Sequence, residues 1–260
     1  MAVSETAQRI HDELFPGHIS TLKDSDPELI EYFDNFAFDE VLQYGDLDVE
    51  TRLMVQLASL IACQGLSEYR IMLGAALTVG VTPVQVKEII YQAVLYVGMA
   101  KVFDFIHATN EILTDRGVHL PLAGQSTTTP ETRESKGLAV QKEIVGAGGV
   151  ERMYASAAND EIHFQRYLSA NCFGDHYTRA GLDLQTRELL TFAMLVSLGG
   201  CEPQAKGHVA ANMNVGNGRQ VLLAVITQLL PFIGYPRTLN ALRVINEGTT
   251  GASATERKSA

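Results

Sequence analysis

The feature that most constrains this chain is that it is written twice. Displacing the sequence by 135 residues lays Tyr32 on Tyr167, Phe38 on Phe173, Leu47-Asp48 on Leu182-Asp183, Thr51-Arg52 on Thr186-Arg187, Ala58 on Ala193 and Leu60 on Leu195. One residue is inserted near Gly200, after which a displacement of 136 pairs Gly80 with Gly216, Ile90 with Ile226, Gln92 with Gln228, Gly98 with Gly234 and Asn110-Glu111 with Asn246-Glu247. Identities held in register over roughly 80 residues mean one supersecondary unit used twice, so a single architecture must satisfy both copies.

That unit reads as helical. Residues 5–14 form a short amphipathic pattern stopped by Pro16-Gly17, and a second pattern runs from Asp26 to Phe38. Acidic residues before Leu53 open a long apolar helix to Gln64, buried on most sides by its composition. Ser67–Val79 follows, with Gly80 as its stop, then Thr82-Pro83 starts a helix to Tyr96, and Ala100–Thr114 closes the copy after Gly98. Alternation of the strand type is nearly absent. The expected fold is therefore all-α, a tandem duplication with pseudo-twofold symmetry. Residues 1–114 form the first domain, 115–137 a linker rich in Gly, Ser, Thr and Pro, 138–247 the second domain, and 248–260 a flexible polar tail.

Composition limits the partners. With 46% hydrophobic residues in 260, the chain can build substantial cores. A formal charge of −10 argues against nucleic acid and anionic membranes, which attract basic surfaces, and leaves a small-molecule substrate or protein partners. The N-terminus lacks an apolar signal core, and no uninterrupted apolar run reaches membrane length. Cys63, Cys172 and Cys201 are too few and too scattered for a disulfide framework or a zinc site of the usual spacing. A cytoplasmic protein without metal or cofactor is expected.

Chemistry concentrates at Gly199-Gly200-Cys201-Glu202-Pro203-Gln204-Ala205-Lys206-Gly207-His208. The glycines end an apolar run and Pro203 suits a first helical turn, so Cys201 is expected beside a helix N-terminus, whose partial positive charge favours thiolate. Gln204 and His208 return to the same face at one and two turns. The same residues also suit a small buried thiol and a hydrogen-bonded structural histidine. The duplication sharpens the choice, because the first copy has Met72 where the second has His208, Glu68 where it has Gln204, and Leu53 where it has Glu188. None of the three polar groups is demanded by the fold. Arg237, after the Gly234 break, is a candidate for holding a substrate carboxylate, or a surface arginine at a helix start. Arg52 and Arg187, beside Asp48 and Asp183, read as a repeated structural ion pair; Cys63 and Cys172 read as core, and His107 and His176 as possible cleft residues.

Taken together, Arg187-Glu188-Leu189-Leu190-Thr191, the stretch from Gly199 to His208, Asn214-Val215-Gly216 and Phe232-Ile233-Gly234-Tyr235-Pro236-Arg237 resemble the carboxymuconolactone decarboxylase family. Thr51-Arg52-Leu53, Gly80 to Glu88 and Tyr96-Val97-Gly98-Met99 look like a second, weaker copy. The resemblance implies an all-helical fold and, because single-domain members assemble as trimers or hexamers, a homo-oligomer of this fused pair, with a trimer favoured. It also implies two chemistries. The thiol-peroxidase members, the alkylhydroperoxidase D proteins, carry a glutamate, Cys-x-x-Cys and a histidine four residues on. Cys201, His208 and Glu188 match that pattern, whereas Gln204 replaces the resolving thiol. The decarboxylase pattern is Glu-x-x-x-His, of which Gln204-x-x-x-His208 keeps the base and Glu68-x-x-x-Met72 the acid. The leading expectation is a decarboxylase of a small carboxylated lactone or keto acid, with His208, Cys201 and Glu188 as catalytic residues and Gln204, Arg237 and Glu68 at the substrate. A thiol peroxidase using Cys201 and a non-catalytic oligomeric scaffold are the alternatives.

Overall fold

A computed structural model describes residues 2–256, and for 250–256 the backbone alone. The elements are α1 (Glu5–Leu14), α2 (Leu22–Ser25), α3 (Pro27–Phe38), a 3-10 turn (Glu40–Gln43), α4 (Val49–Cys63), α5 (Leu66–Val79), α6 (Pro83–Val97) and α7 (Met99–Asp115). After these come α8 (Arg133–Val145), α9 (Ala147–Ser156), α10 (Ile162–Tyr167), a π-helix (Leu168–Tyr177), α11 (Leu184–Leu198), α12 (Glu202–Asn214) and α13 (Arg219–Glu256). No strand occurs among the described residues. The fold is all-α and tandem, as the repeat requires.

The two copies use the same local devices. Asp48 and Asp183 each accept a hydrogen bond from the amide three residues on, 2.8 Å from Thr51 and 2.7 Å from Thr186, and so cap α4 and α11. Such a cap stabilises by about 1 kcal/mol. Gly98 takes φ 89° between α6 and α7, and its counterpart Gly234 takes φ 75° inside α13, breaking that helix at the corresponding point. A Cβ is disfavoured at such angles, which is why glycine stands at both bends. Even a surface pair is copied: Arg70–Glu111 at 2.5 Å recurs as Lys206–Glu247 at 3.2 Å.

The core forms where α4 and α11 pack on each other, with α6 against α11 and α13 against α4 in reciprocal fashion. Leu53, Val55, Leu57, Ala58 and Ile61 meet Leu190, Phe192, Ala193 and Met194 in one continuous cluster, all essentially without exposed surface. Burying that much apolar area at about 25 cal/mol per Å² is what joins the halves into one body.

Four expectations change. The ion pair is not repeated: Asp48 and Asp183 act as caps, Arg187 turns inward onto Glu88 at 2.9 Å, and only Arg52, partly buried, stays under the influence of the Asp48 charge. The linker is shorter, because α8 begins at Arg133. Gly137 belongs to that helix and packs backbone to backbone on the π-helix, where a Cβ would stand 1.9 Å from the Ser169 carbonyl. The tail expected from residue 248 is helical through Glu256, and residues 257–260 lie outside the described residues. Finally, Arg219–Thr249 is long and apolar enough, by length and composition, to cross a membrane. Its Leu222, Val225, Leu229, Ile233 and Ile245 are nevertheless packed into the core, the ordinary position of such a helix in a folded domain.

Candidate active site

α11 is apolar on nearly every side, yet it carries Glu188 with no exposed surface. A buried carboxylate needs a partner. α12 crosses α11 and supplies His208, whose Nδ1 lies 2.8 Å from Glu188 Oε2. The histidine is 21% exposed while the glutamate is 0% exposed, so the pair points outward from the core through the imidazole. Nε2 makes no hydrogen bond among the described residues. The carboxylate orients the ring, the arrangement a proton-transferring histidine needs.

Three elements complete the surroundings. Tyr96, from α6 of the first copy, sets its ring edge-on to His208 with centroids 5.8 Å apart. Its hydroxyl meets that of Tyr177, at the end of the π-helix, at 2.7 Å, and Tyr177 meets Thr191 Oγ1 at 2.6 Å. The chain continues to Gln92, whose amide donates to Thr191 Oγ1 at 2.9 Å and to the Arg187 carbonyl at 2.7 Å. Asn212 donates to the carbonyls of Glu188 and His208 and locks α12 on α11. Burial holds the Tyr96 and Tyr177 hydroxyls well above the usual tyrosine range, with the Glu188 charge adding to the effect, so both remain hydrogen-bond donors at neutral pH. Burial also pushes the neighbouring Cys172 thiol up to about 12.

The remaining sequence candidates lie apart. Cys201 is at the start of α12, but its thiol donates back to the Leu195 carbonyl at 3.1 Å. Burial, with Glu202 adding, raises its pKa, and this corrects the expectation of a thiolate favoured by the helix start. Gln204 is exposed, one turn from His208 on the same stripe. Arg237 is exposed, in a small depression shared with Gly199, Glu202 and Asn240 that His208 does not line, and its Nη1 lies 3.8 Å from the Cys63 sulfur. Glu68 lines a separate cavity of about 480 Å³ in the first copy, with His11, Asp34, Phe15, Phe33 and Phe38. Neither His208 nor Glu188 reaches it, and burial raises the Glu68 carboxyl. His107 meets Phe103 edge to face at the surface, whereas His176 is partly buried near Arg187 and Glu88.

Spacing within one copy does not reveal Tyr96, Tyr177, Thr191 or Asn212. The duplication carries a signal for three of them. In register, Tyr96 faces Phe232, Tyr177 faces Leu42 and Asn212 faces Ala76, just as Glu188 faces Leu53 and His208 faces Met72. The polar groups of this one site, drawn from both copies, meet apolar residues at the register-related positions, with Gln56 opposite Thr191 the exception.

Similarity to known proteins agrees with that geometry. The model of the carboxymuconolactone decarboxylase family matches residues 27–111 and 163–247, one match per copy. A 4-carboxymuconolactone decarboxylase of Acinetobacter baylyi is 30% identical over 117 residues, 45% of this chain and 87% of that enzyme. With both copies matched and the helices of each copy in the same order, the chain belongs to the carboxymuconolactone decarboxylase family, as a tandem member that joins two of its domains in one polypeptide.

Proposed function

We propose that the chain is a decarboxylase of a small carboxylated lactone or keto acid, and that the second copy carries the acid–base pair while the first copy lends Tyr96 to it. The observation that supports this is the 2.8 Å contact between buried Glu188 and His208, a polar pair built where the first copy keeps leucine and methionine. In the proposed reaction the bond to the carboxylate carbon breaks and carbon dioxide leaves. The electron pair passes into the conjugated carbonyl as an enolate, and the imidazolium of His208 delivers the proton to carbon. Hydrogen bonds from a hydroxyl such as Tyr96 lower the enolate's energy where its charge develops. Glu188 keeps the ring in place and compensates its charge before transfer.

The thiol-peroxidase alternative loses support at Cys201, which is held as a thiol and has no second cysteine within its motif. The small-molecule substrate, the trimer and the cytoplasmic setting belong to the same proposal. The test is carbon dioxide release from 4-carboxymuconolactone and related lactone acids. His208→Ala should lower turnover roughly a hundredfold or more, the usual contribution of a general acid. A His208→Ala protein with full activity would sink the assignment.

A further inference from the structure

Eight residues before Tyr96, and on the same face of α6, stands Glu88, which a rise of 1.5 Å per residue places about 12 Å away. It is 1% exposed and holds two guanidiniums, Arg187 at 2.9 Å and Arg179 at 2.8 Å. Beside it, Lys87 is only 9% exposed and donates to the neutral Asn110 carboxamide; among the described residues it forms no ion pair. Two guanidiniums thus share one carboxylate, and the neighbouring ammonium has none. The nearby Asp175 is taken by Arg133. Burial and the two arginines also lower the pKa of His176, as expected where the local field is positive.

This cluster borders a cavity of about 310 Å³ between α6, Asn110 of α7, the chain at residues 120–125 and Arg179. Its walls combine two characters. Lys87 and Arg179 supply positive charge; the Glu88 carboxylate also lines the wall but is neutralised by the two arginines, and Arg179 Nη1 makes no hydrogen bond among the described residues. Val84, Tyr91, Leu120 and Leu122 supply hydrocarbon, with the Arg179 guanidinium lying over the Tyr91 ring at 5.2 Å. A partly buried ammonium whose one hydrogen bond goes to a neutral amide is incompletely compensated, so an anion arriving there gains more than it would at a fully solvated lysine. The space far exceeds what an inorganic anion fills, and its apolar walls suit a short carbon skeleton.

We propose that this cavity binds a small organic acid whose carboxylate is held by Lys87 and Arg179. The site is separate from Glu188 and His208 and is independent of the reaction assigned to them. Asn110 orients the ammonium, and the 120–125 segment covers the carbon chain.

Adipate and inorganic phosphate are suitable probes, titrated calorimetrically into the intact protein at low ionic strength. Saturable adipate binding is expected, weakened about tenfold or more by Lys87→Met, about 1.4 kcal/mol, and changed less than about threefold by Lys87→Arg. Lys87 bonds no charged group, so its replacement leaves the Glu88 pairs intact. As a second check, Val84→Phe reduces the cavity without touching the charges and should also weaken adipate. Lys206→Met, at the surface, should not. The proposal falls if adipate shows no saturable binding up to about 10 mM, a Kd scale corresponding to less than about 3 kcal/mol. It falls equally if Lys87→Met and Val84→Phe both bind adipate as the parent does, or if phosphate binds as tightly as adipate.

Discussion

Tyr96 and His208 belong to different copies of the repeat, yet their rings meet edge to face, with centroids 5.8 Å apart and planes at 83°. Through the Tyr96 hydroxyl the contact extends to Tyr177 and Thr191, so the environment of His208 is completed by a helix of the first copy. The second copy is not a self-sufficient site. Tyr96→Phe should retain the ring contact and remove the hydroxyl, lowering turnover about tenfold or more if that hydroxyl stabilises developing charge. Steady-state kinetics alongside unchanged thermal unfolding would separate this from loss of structure.

The pairing of Glu188 with His208 has a stability consequence that does not depend on the substrate. Leaving a buried polar group without its hydrogen-bond partner costs about 1–3 kcal/mol, and more for a carboxylate, while replacing both members by packed apolar groups is often neutral or better. His208→Met alone should therefore destabilise strongly. Glu188→Leu with His208→Met, which copies Leu53 and Met72 of the first half, should recover that loss or exceed it. Urea unfolding of the two singles and the double gives the coupling. Additive effects would show that the pair does not interact as the geometry requires.

Cys201 donates to the Leu195 carbonyl and is held in its thiol form by burial. Near neutral pH it should react slowly with iodoacetamide, and Cys172, with its pKa pushed to about 12, slower still. Cys201→Ser should leave decarboxylation nearly unchanged. Rapid, selective alkylation of Cys201 followed by peptide mapping would contradict this.

His176 has a lowered pKa, chiefly from burial and then from Arg179. A histidine whose folded-state pKa is depressed stabilises the fold above its unfolded value of about 6.5 and loses that contribution as pH falls. Stability should decline between about pH 7 and pH 5, and His176→Asn should flatten this part of the curve. Equal slopes for both proteins in thermal melts across that range would refute the role.

Exposed apolar side chains come in repeat-related pairs: Leu29 with Phe164, Tyr32 with Tyr167, Met99 with Tyr235 and Phe103 with Leu239. Equivalent patches on both copies are what a ring of alternating copies needs, and they support the proposed trimer. Light scattering should return about 85 kDa, three chains of 28.3 kDa. Phe103→Glu with Leu239→Glu should shift the protein toward 28.3 kDa. A parent protein already at 28.3 kDa would end the idea.

Much of this molecule was legible in one dimension because helices are local and repeats are linear. The bends at Gly98 and Gly234 and the apolar centres of α4 and α11 follow from neighbours within a few residues. The duplication itself singled out Glu188 and His208 as polar groups that the fold does not need. Tertiary structure decided the rest. Spacing along α12 placed Cys201, Gln204 and His208 on a common stripe, but the stripe is only as active as what packs on it. Cys201 sits at the helix start and turns back toward α11, Gln204 faces solvent, and only His208 meets a buried carboxylate. Arg187 offers the same lesson, since its identity with Arg52 suggested a shared role. Burial against Glu88 and Gln92, residues nearly a hundred positions earlier, gave it a different one, because a desolvated guanidinium must take whichever acceptors the neighbouring helix presents.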